Sequence, residues 1–421
     1  EKLYIIILTL IFIFGILSAK SVVLGCLKQQ TKREPRTYFL NRPAMYAGMQ
    51  TKEKEPLYMA MMYHHHDNQR GSFIKLRERT SYANPVQKVV EEGDGINFGK
   101  TLLHDKGEPN TEYTITAQFT KPKNESRDKS FTYRIRGEQS KEKEGQYISV
   151  FLYVGVSSEE DEVLIEETAS GEINIIGKHG SMGIFQFETV GLQSADAEKA
   201  STTYYYGNTT DIPFYATPLV LPMLKSGVST YSSPACCSPL NHKSLLPNSF
   251  FYHPTKPTNL VVIQKILKTP FEWTLSFHPK KRDITTFEDN YDYYANEWKQ
   301  KLAQIFPLSE TGEQQRALAS YLVSSLLNGI SYFYGDAQAK DPSTGDVWTI
   351  PKRELFSMIP APVGFPRGFY WDEAFHQMVL LHVYPSLHEE MTLSWYRLQN
   401  TSTGWIAREQ IIGKEPQSTA P

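Results

Sequence analysis

Cysteine is scarce in this chain, with only three among 421 residues. These are Cys26, Cys236 and Cys237, and the last two are adjacent. Their spacing is not that of a metal site, whose ligands recur as separated pairs. A disulfide framework is not required either, because a chain of this length can bury a large apolar core. We therefore predict no metal site.

An excess of charge of one sign is also absent. The chain has 44 basic and 46 acidic residues, a net charge of −2, and no long block of like charge. This balance gives no reason to expect a nucleic-acid partner. The apolar fraction of 40% and the aromatic fraction of 13% favour globular domains over disorder. The length exceeds that of one ordinary core and predicts two domains.

An apolar stretch opens the sequence. Leu3 to Ala19 contains no charged residue and is rich in Ile, Leu and Phe, at the short limit for a membrane span. Three interpretations stay open: a signal anchor, a signal peptide with a poor cleavage site at Ala19, and a lipoprotein-like segment ending at Cys26. Each of them sends the rest of the chain across a membrane.

Three sequons for N-glycosylation occur, at Asn124, Asn208 and Asn400. Such tripeptides arise often by chance. They therefore add only weak support to the export of the chain.

Alternation of apolar and polar residues dominates residues 113–277. It is clearest at Tyr113–Phe119, Phe131–Arg136 and Phe271–Phe277, where it predicts half-buried antiparallel strands. Tyr147–Val156 is almost wholly apolar and predicts a strand buried on both faces. Further strands are predicted at residues 183–190 and 260–267. Strands at this density predict a sandwich of stacked sheets.

Helical periodicity replaces this alternation near Asp289. Helices are predicted at residues 291–305 and 313–334. Residues 341–362 are rich in proline and other breakers and predict a loop. Two more helices are predicted at residues 372–383 and 387–398, the second starting from Pro385 or Ser386.

The densest functional signal lies between Gly364 and His376, where aromatic rings accompany one Arg and two adjacent carboxylates. A proline and a glycine flank Arg367 and predict a turn there. Asp372 and Glu373 follow at the start of a predicted helix, where its dipole favours negative charge. Rings that stack on a sugar and charged groups that bind its hydroxyls would form a saccharide site. The alternative is an amphipathic helix with an acidic cap.

A second cluster, Gly404–Gln410, also combines a tryptophan, an arginine and a glutamate after a predicted helix. We expect the two clusters to meet around one pocket. The alternative for this segment is a surface turn with an incidental ion pair.

These two clusters resemble glycoside hydrolase family 63, and the resemblance extends from about Arg36 to the end of the chain. It is carried by the segments Tyr38–Tyr63, Glu92–Gly95 with Phe98–Gly99, Gly329–Gly335, Phe365–Gln377 and Gly404–Gly413. The family implies an antiparallel β super-sandwich, a helical linker and an (α/α)6 toroid. We accordingly expect a multidomain β + α chain. Its expected parts are a membrane anchor or signal segment at 1–27, a β-sandwich at 28–280, a linker at 281–312 and the first part of the toroid at 313–421.

The resemblance also implies an activity. Such enzymes are inverting exo-α-glucosidases that remove the distal α-1,2-linked glucose from the triglucosylated N-glycan precursor, without cofactor or metal. The implied partner is a glucosylated high-mannose N-glycan on nascent glycoproteins. The implied location is the endoplasmic reticulum membrane, as a single-pass type II protein with its catalytic part in the lumen.

Site residues follow from the same resemblance. It implies that Arg367, Trp371 and Asp372 hold the terminal glucose. Phe369, Glu373, Phe375 and His376 would line or brace the pocket, and Trp405, Arg408 and Glu409 would form a second pocket loop. The general acid and base are expected beyond residue 421, so these residues alone are expected to be inactive. Two alternatives are a lumenal glycan-binding protein without chemistry and a trehalase-like hydrolase, although trehalases lack the long β segment.

Overall fold

In the computed structural model of the chain, the described residues are 37–39, 47–65, 86–105, 113–123, 130–139, 147–158, 160–168, 172–196, 201–207, 258–279, 286–306, 312–340, 344–360, 365 and 367–413. These residues form four helices and eighteen strands. The helices are α1 (Phe287–Ile305), α2 (Glu313–Leu327), α3 (Tyr370–Val383) and α4 (Pro385–Tyr396). The strands are β1 (Thr37–Phe39), β2 (Ala47–Thr51), β3 (Leu57–His65), β4 (Val86–Gly93), β5 (Phe98–Asp105), β6 (Tyr113–Thr120), β7 (Phe131–Gln139), β8 (Tyr147–Val156), β9 (Glu162–Glu167), β10 (Ile173–His179), β11 (Gly183–Ser194), β12 (Ser201–Gly207), β13 (Leu260–Lys268), β14 (Phe271–His278), β15 (Ile330–Lys340), β16 (Val347–Met358), β17 (Gly368–Phe369) and β18 (Glu409–Gln410).

The first fourteen strands form two antiparallel sheets. One sheet has six strands in the order β1-β2-β3-β8-β13-β12, and the other has eight in the order β4-β5-β6-β7-β14-β11-β10-β9. Strand β8 lies inside the first sheet, where it pairs along its length with β3 and β13. Strands β15 and β16 form a separate two-stranded ladder, and so do β17 and β18.

The main apolar core lies between the two large sheets. Val150, Leu152 and Val154 of β8 face Ile115 and Trp273 of the other sheet, and all five are at most 1% exposed. Each fully buried apolar side chain of this size contributes about 1.5–3 kcal/mol to folding. The predicted sandwich is confirmed, and every strand predicted above is present.

Burial on both faces of β8 is also confirmed. Phe151 and Tyr153 point away from the core between the sheets, yet each is only 2% exposed. The near-continuous apolar sequence of this strand follows from that burial, because neither face offers a place for a polar side chain.

The prediction of half-buried strands is wrong for β6, β7 and β14, whose polar faces are covered as well. Helix α1 is in contact with this face. Glu288 pairs with Arg134, whose guanidinium also lies 3.8 Å from the centre of the Phe287 ring. Arg134 Nη2 in turn donates to Gln118 Oε1 at 2.9 Å. Alternation in the sequence marked the polar face but not the helix that covers it.

The prediction of one helix over residues 313–334 is wrong for its last third. Helix α2 ends at Leu327, and β15 begins at Ile330. Aromatic and β-branched residues follow Gly329, and such residues favour strands. The loop predicted at residues 341–362 is also wrong, because β16 pairs with β15 there. The misleading signal was Pro351, which is followed by Lys352 with a φ of 33°.

The two helices predicted after the first cluster are confirmed as α3 and α4. Helix α4 begins at Pro385, whose fixed φ suits the first helical position. The edge of β16 is bonded to these helices. Phe356 N donates to Ser394 Oγ at 2.8 Å, and Trp395 Nε1 donates to Ser357 Oγ at 3.1 Å.

Polar contacts join the sandwich to the helices. Asp94 Oδ1, in the turn between β4 and β5, accepts hydrogen bonds from three main-chain N–H groups of that turn, and Asp94 Oδ2 accepts one from the Tyr384 hydroxyl at 2.7 Å. Burial, and then the charge of Asp94, raises the pKa of Tyr384, so its hydroxyl remains a donor. Lys52 pairs with Glu390 of α4, and Gln50 Nε2 donates to Tyr332 O at 2.8 Å.

Some predictions concern residues outside the described ranges, and others are not tested by the described residues. The described residues hold too few helices to form an (α/α)6 toroid, so the toroid stays a prediction. Among the helices the structure describes, none has the length and apolar character of a membrane span. The segment at 1–27, the three cysteines, Asn124 and Asn208 lie outside the described residues. Asn400 is described and is exposed.

Candidate saccharide-binding site

The two predicted clusters meet through a short antiparallel pairing. Gly368 of β17 is opposite Gln410 of β18, and Phe369 is opposite Glu409. Tyr370 N, at the start of α3, donates to Arg408 O at 2.8 Å. The convergence of the clusters, expected from composition alone, is therefore present in the structure.

A buried ion pair closes this junction. Arg367 Nε donates to Glu409 Oε1, and the Arg367 side chain is only 4% exposed, against 25% for Glu409. The Arg367 guanidinium also lies 6.0 Å from the centre of the Phe369 ring. Burying a charge such as that of Arg367 costs several kcal/mol of solvation free energy, which the attraction to Glu409 helps to offset. Arg367 and Glu409 thus hold the two segments together.

Gly368 has a packing role that the sequence did not reveal. The sequence suggested a turn breaker, but this residue lies in β17 against β16 and α4. A Cβ atom at Gly368 would lie 2.5 Å from Leu355 Cδ2 and 3.0 Å from Trp395 Cζ2. Only glycine lets the backbone approach this closely.

The two clusters carry several exposed aromatic rings. Trp371 is 68% exposed, Phe375 55% and Trp405 65%, with Phe365 and Tyr370 also exposed. Trp371 and Phe375 lie one helical turn apart, with ring centres 5.2 Å apart in an edge-to-face arrangement. Such large rings are rarely left in water as a group unless they bind a ligand or partner. Their faces suit the apolar side of a sugar ring.

The two adjacent carboxylates of the first cluster have different surroundings. Asp372 is half-buried, and its side chain makes no hydrogen bond or ion pair with any residue the structure describes. Glu373 is 3% exposed, and its carboxylate accepts hydrogen bonds from Met358 N at 3.1 Å and Gln377 Nε2 at 2.6 Å. Asp372 is therefore available to a ligand, and Glu373 is not.

The remaining predicted residues also divide into those that stabilise the structure and those that are open to a ligand. His376 Nδ1 lies 3.1 Å from Glu373 Oε2, so His376 braces the first turn of α3. The Arg408 side chain is exposed and forms no ion pair within the described part of the chain. Trp405 lies at the end of a turn closed by Asn400 N, which donates to Trp405 O at 2.8 Å. Partial burial, with a smaller contribution from Tyr396, raises the pKa of the Tyr370 hydroxyl.

Residues missed by sequence reasoning include Tyr370 and Phe365, whose exposure no periodicity could show. Ser357, Ser394 and Trp395 were missed as well, although they fix α4 on β16. A buried tryptophan beside small hydroxyl residues gives no distinctive sequence pattern. Among the described residues, no group of three His, Cys, Asp or Glu side chains could hold a metal ion.

A β sandwich joined to helices that present exposed rings and an unpaired carboxylate is typical of a carbohydrate-active protein. The models of two domains of glycosyl hydrolase family 63 match this chain, the N-terminal domain at residues 38–217 and the C-terminal domain at residues 283–421. The chain belongs to glycosyl hydrolase family 63.

Similar proteins carry related names. The chain is 35% identical over 123 residues to mannosyl-oligosaccharide glucosidase of Saccharomyces cerevisiae, which covers 27% of this chain and 15% of that protein. It is 29% identical over 190 residues to the probable mannosyl-oligosaccharide glucosidase of Schizosaccharomyces pombe, and the match covers 38% of this chain and 23% of that protein. It is 33% identical over 132 residues to mannosyl-oligosaccharide glucosidase GCS1 of Arabidopsis thaliana, and the match covers 30% of this chain and 15% of that protein. The chain thus matches less than a quarter of the length of each of these relatives.

The close approach at Gly368 yields a first prediction. Replacing Gly368 with alanine should destabilise the chain by about 1–3 kcal/mol, because the new methyl overlaps Leu355 and Trp395. Urea unfolding measures the change. Gly191→Ala is the matched control, since an added Cβ there meets nothing nearer than 3.8 Å and that glycine is exposed. Equal stability of the two variants would refute the packing role of Gly368.

Proposed function

We propose that this chain is part of an exo-α-glucosidase that removes the distal α-1,2-linked glucose from the triglucosylated N-glycan precursor. One observation carries the proposal: the junction of the two clusters leaves Asp372 unpaired beside exposed Trp371 and Phe375. Membership of family 63 and the names of its relatives support it.

The proposed binding mode uses the two kinds of group at the junction. The terminal glucose stacks on Trp371, whose ring is open to solvent. Asp372 accepts hydrogen bonds from sugar hydroxyls, and Arg408 donates to the oxygens on the side of the second segment. Charge-assisted hydrogen bonds of this kind are stronger than neutral ones and set the orientation of the ring.

Inverting hydrolysis needs more than this binding site. It requires one carboxylic acid and one carboxylate on opposite sides of the scissile bond, roughly 6.5–9.5 Å apart. Near the junction, Glu373 is held by Met358 and Gln377, and Glu409 is held by Arg367. We propose that Asp372 binds substrate and that the acid and base come from residues beyond 421.

The proposed substrate contact gives a second prediction. Asp372→Asn should weaken the binding of an α-1,2-linked glucose disaccharide roughly tenfold to a hundredfold, because charge-assisted hydrogen bonds contribute about 1.5–3 kcal/mol. Isothermal titration calorimetry measures the affinity. Asp292→Asn, at an exposed position of α1, is the control and should bind like the unmodified chain. Binding by Asp372→Asn within twofold of the unmodified chain would remove Asp372 from the site.

A third prediction concerns chemistry. Residues 1–421 alone should bind the disaccharide without hydrolysing it, since the described carboxylates at the junction do not form an acid and base pair. Incubation with a glucosylated glycan, followed by assay of free glucose, tests this. Release of glucose would show that the chain contains its own acid and base. Persistent binding without release, in a longer chain that carries all family segments, would favour a glycan-binding protein without chemistry.

The proposed location is the lumen of the endoplasmic reticulum. The apolar segment Leu3–Ala19 would anchor the chain as a single-pass type II membrane protein, and Asn400 is an exposed sequon that could receive a glycan there. In microsomes, we expect the sandwich and the helices to resist added protease until detergent opens the membrane. Digestion without detergent would contradict this orientation.

A further inference from the structure

We propose that Glu373 is a positioning residue of the saccharide site, and that it acts by fixing the first turn of α3 on the end of β16. The inference rests on the function proposed above and deepens it. It assigns the two adjacent carboxylates different roles: Asp372 meets the sugar, and Glu373 sets where Asp372 lies.

The contacts of Glu373 occupy both of its carboxylate oxygens. Gln377 Nε2 donates to Oε1 at 2.6 Å, Met358 N donates to Oε2 at 3.1 Å, and His376 Nδ1 lies 3.1 Å from Oε2. Met358 is the last residue of β16 and is 0% exposed. A carboxylate at 3% exposure with this many donors has little capacity left for a ligand.

These contacts belong to a row that docks both helices on one strand edge. Phe356 N donates to Ser394 Oγ, and Ser357 Oγ accepts from Trp395 Nε1. Met358 N donates to Glu373 Oε2. The first two partners lie on α4, and Glu373 is the partner from α3. A second link passes between the helices, since His388 Nδ1 lies 2.9 Å from Gln377 Oε1.

Helix geometry explains why neighbouring carboxylates can divide these roles. Successive residues of an α-helix are rotated by about 100° around its axis. When Glu373 faces β16, Asp372 is directed to another side, where Trp371 and Phe375 are exposed. A change in the hydrogen bonds between Glu373 and β16 therefore moves the groups that would contact the sugar, without removing any of them.

Glutamine at this position is a sharp test because it keeps the shape and removes the charge. Its amide has one acceptor oxygen, whereas the carboxylate of Glu373 accepts through two. Because Met358 N donates to one carboxylate oxygen and Gln377 Nε2 donates to the other, one of these two donors must then face an NH2 group. We expect the first turn of α3 to shift away from β16.

The experiment has one readout without ligand and one with it. In Glu373→Gln, hydrogen exchange at the Met358 amide should accelerate roughly tenfold, and the indole N–H resonance of Trp371 should shift. Glu389→Gln, at an exposed position of α4, is the control and should leave both unchanged. Unchanged Met358 exchange in Glu373→Gln would overturn the proposal, whether or not the chain binds sugar.

The second readout separates positioning from direct contact. Affinities are measured by calorimetry for the α-1,2-linked glucose disaccharide and for its analogues that each lack one hydroxyl of the terminal glucose. A positioning residue should give the same loss, roughly tenfold, for every ligand, because all contacts are displaced together. A loss that disappears for one analogue would mean that Glu373 binds that hydroxyl, and would overturn the proposal.

A second variant guards against loss of folding. Gln377→Met keeps Glu373 and its contact with Met358 but removes one donor, so we expect the same uniform loss at about threefold. A uniform loss in this folded variant supports the proposal, and affinities equal to those of the unmodified chain overturn it. Failure of the unmodified chain to bind any glucoside would instead refute the proposed function, while the exchange at Met358 would still report on the seat of Glu373.

Discussion

The ion pair between Arg367 and Glu409 is the contact on which the arrangement of the site depends. It joins segments that are far apart in sequence, and the short pairing of β17 with β18 runs directly beside it. Its two charges satisfy each other, whereas the side chains of Asp372 and Arg408 form no ion pair with the described residues and stay available to a ligand. The Arg367 side chain is 4% exposed, so forming the pair costs solvation free energy, and the pair in turn fixes the geometry of the junction.

The β sandwich gives this junction a rigid base. Tyr384 at the end of α3 donates to Asp94 in a turn of the sandwich, and Lys52 pairs with Glu390 of α4. Both helices also dock on the edge of β16, so their positions are set from two directions. Helix α3, which carries Trp371 and Phe375, is thereby held on packed elements, which is the arrangement expected where a ligand must be oriented.

The sequence was sufficient where burial follows one repeating pattern. The alternation in β6, β7 and β14 predicted strands because period two is typical of a strand, and the short apolar run of β8 is typical of a buried one. It was insufficient where two principles compete. In residues 330–334 the helical spacing of leucines was extended into an aromatic run that pairs as β15, and Pro351 hid the strand β16. Composition predicted that the clusters meet, but only the family resemblance separated the roles of Asp372 and Glu373, because their different contacts depend on the position of β16.

A crystal structure of the chain with the α-1,2-linked glucose disaccharide bound tests the central claim most directly, because that claim is a single glucose held at the Arg367–Glu409 junction. The account predicts the terminal ring stacked on Trp371, with a hydroxyl about 2.5–2.7 Å from the Asp372 carboxylate and the Arg367–Glu409 pair intact. A disaccharide bound at another surface, or one that displaces Glu409 from Arg367 to bind the sugar itself, would contradict the account.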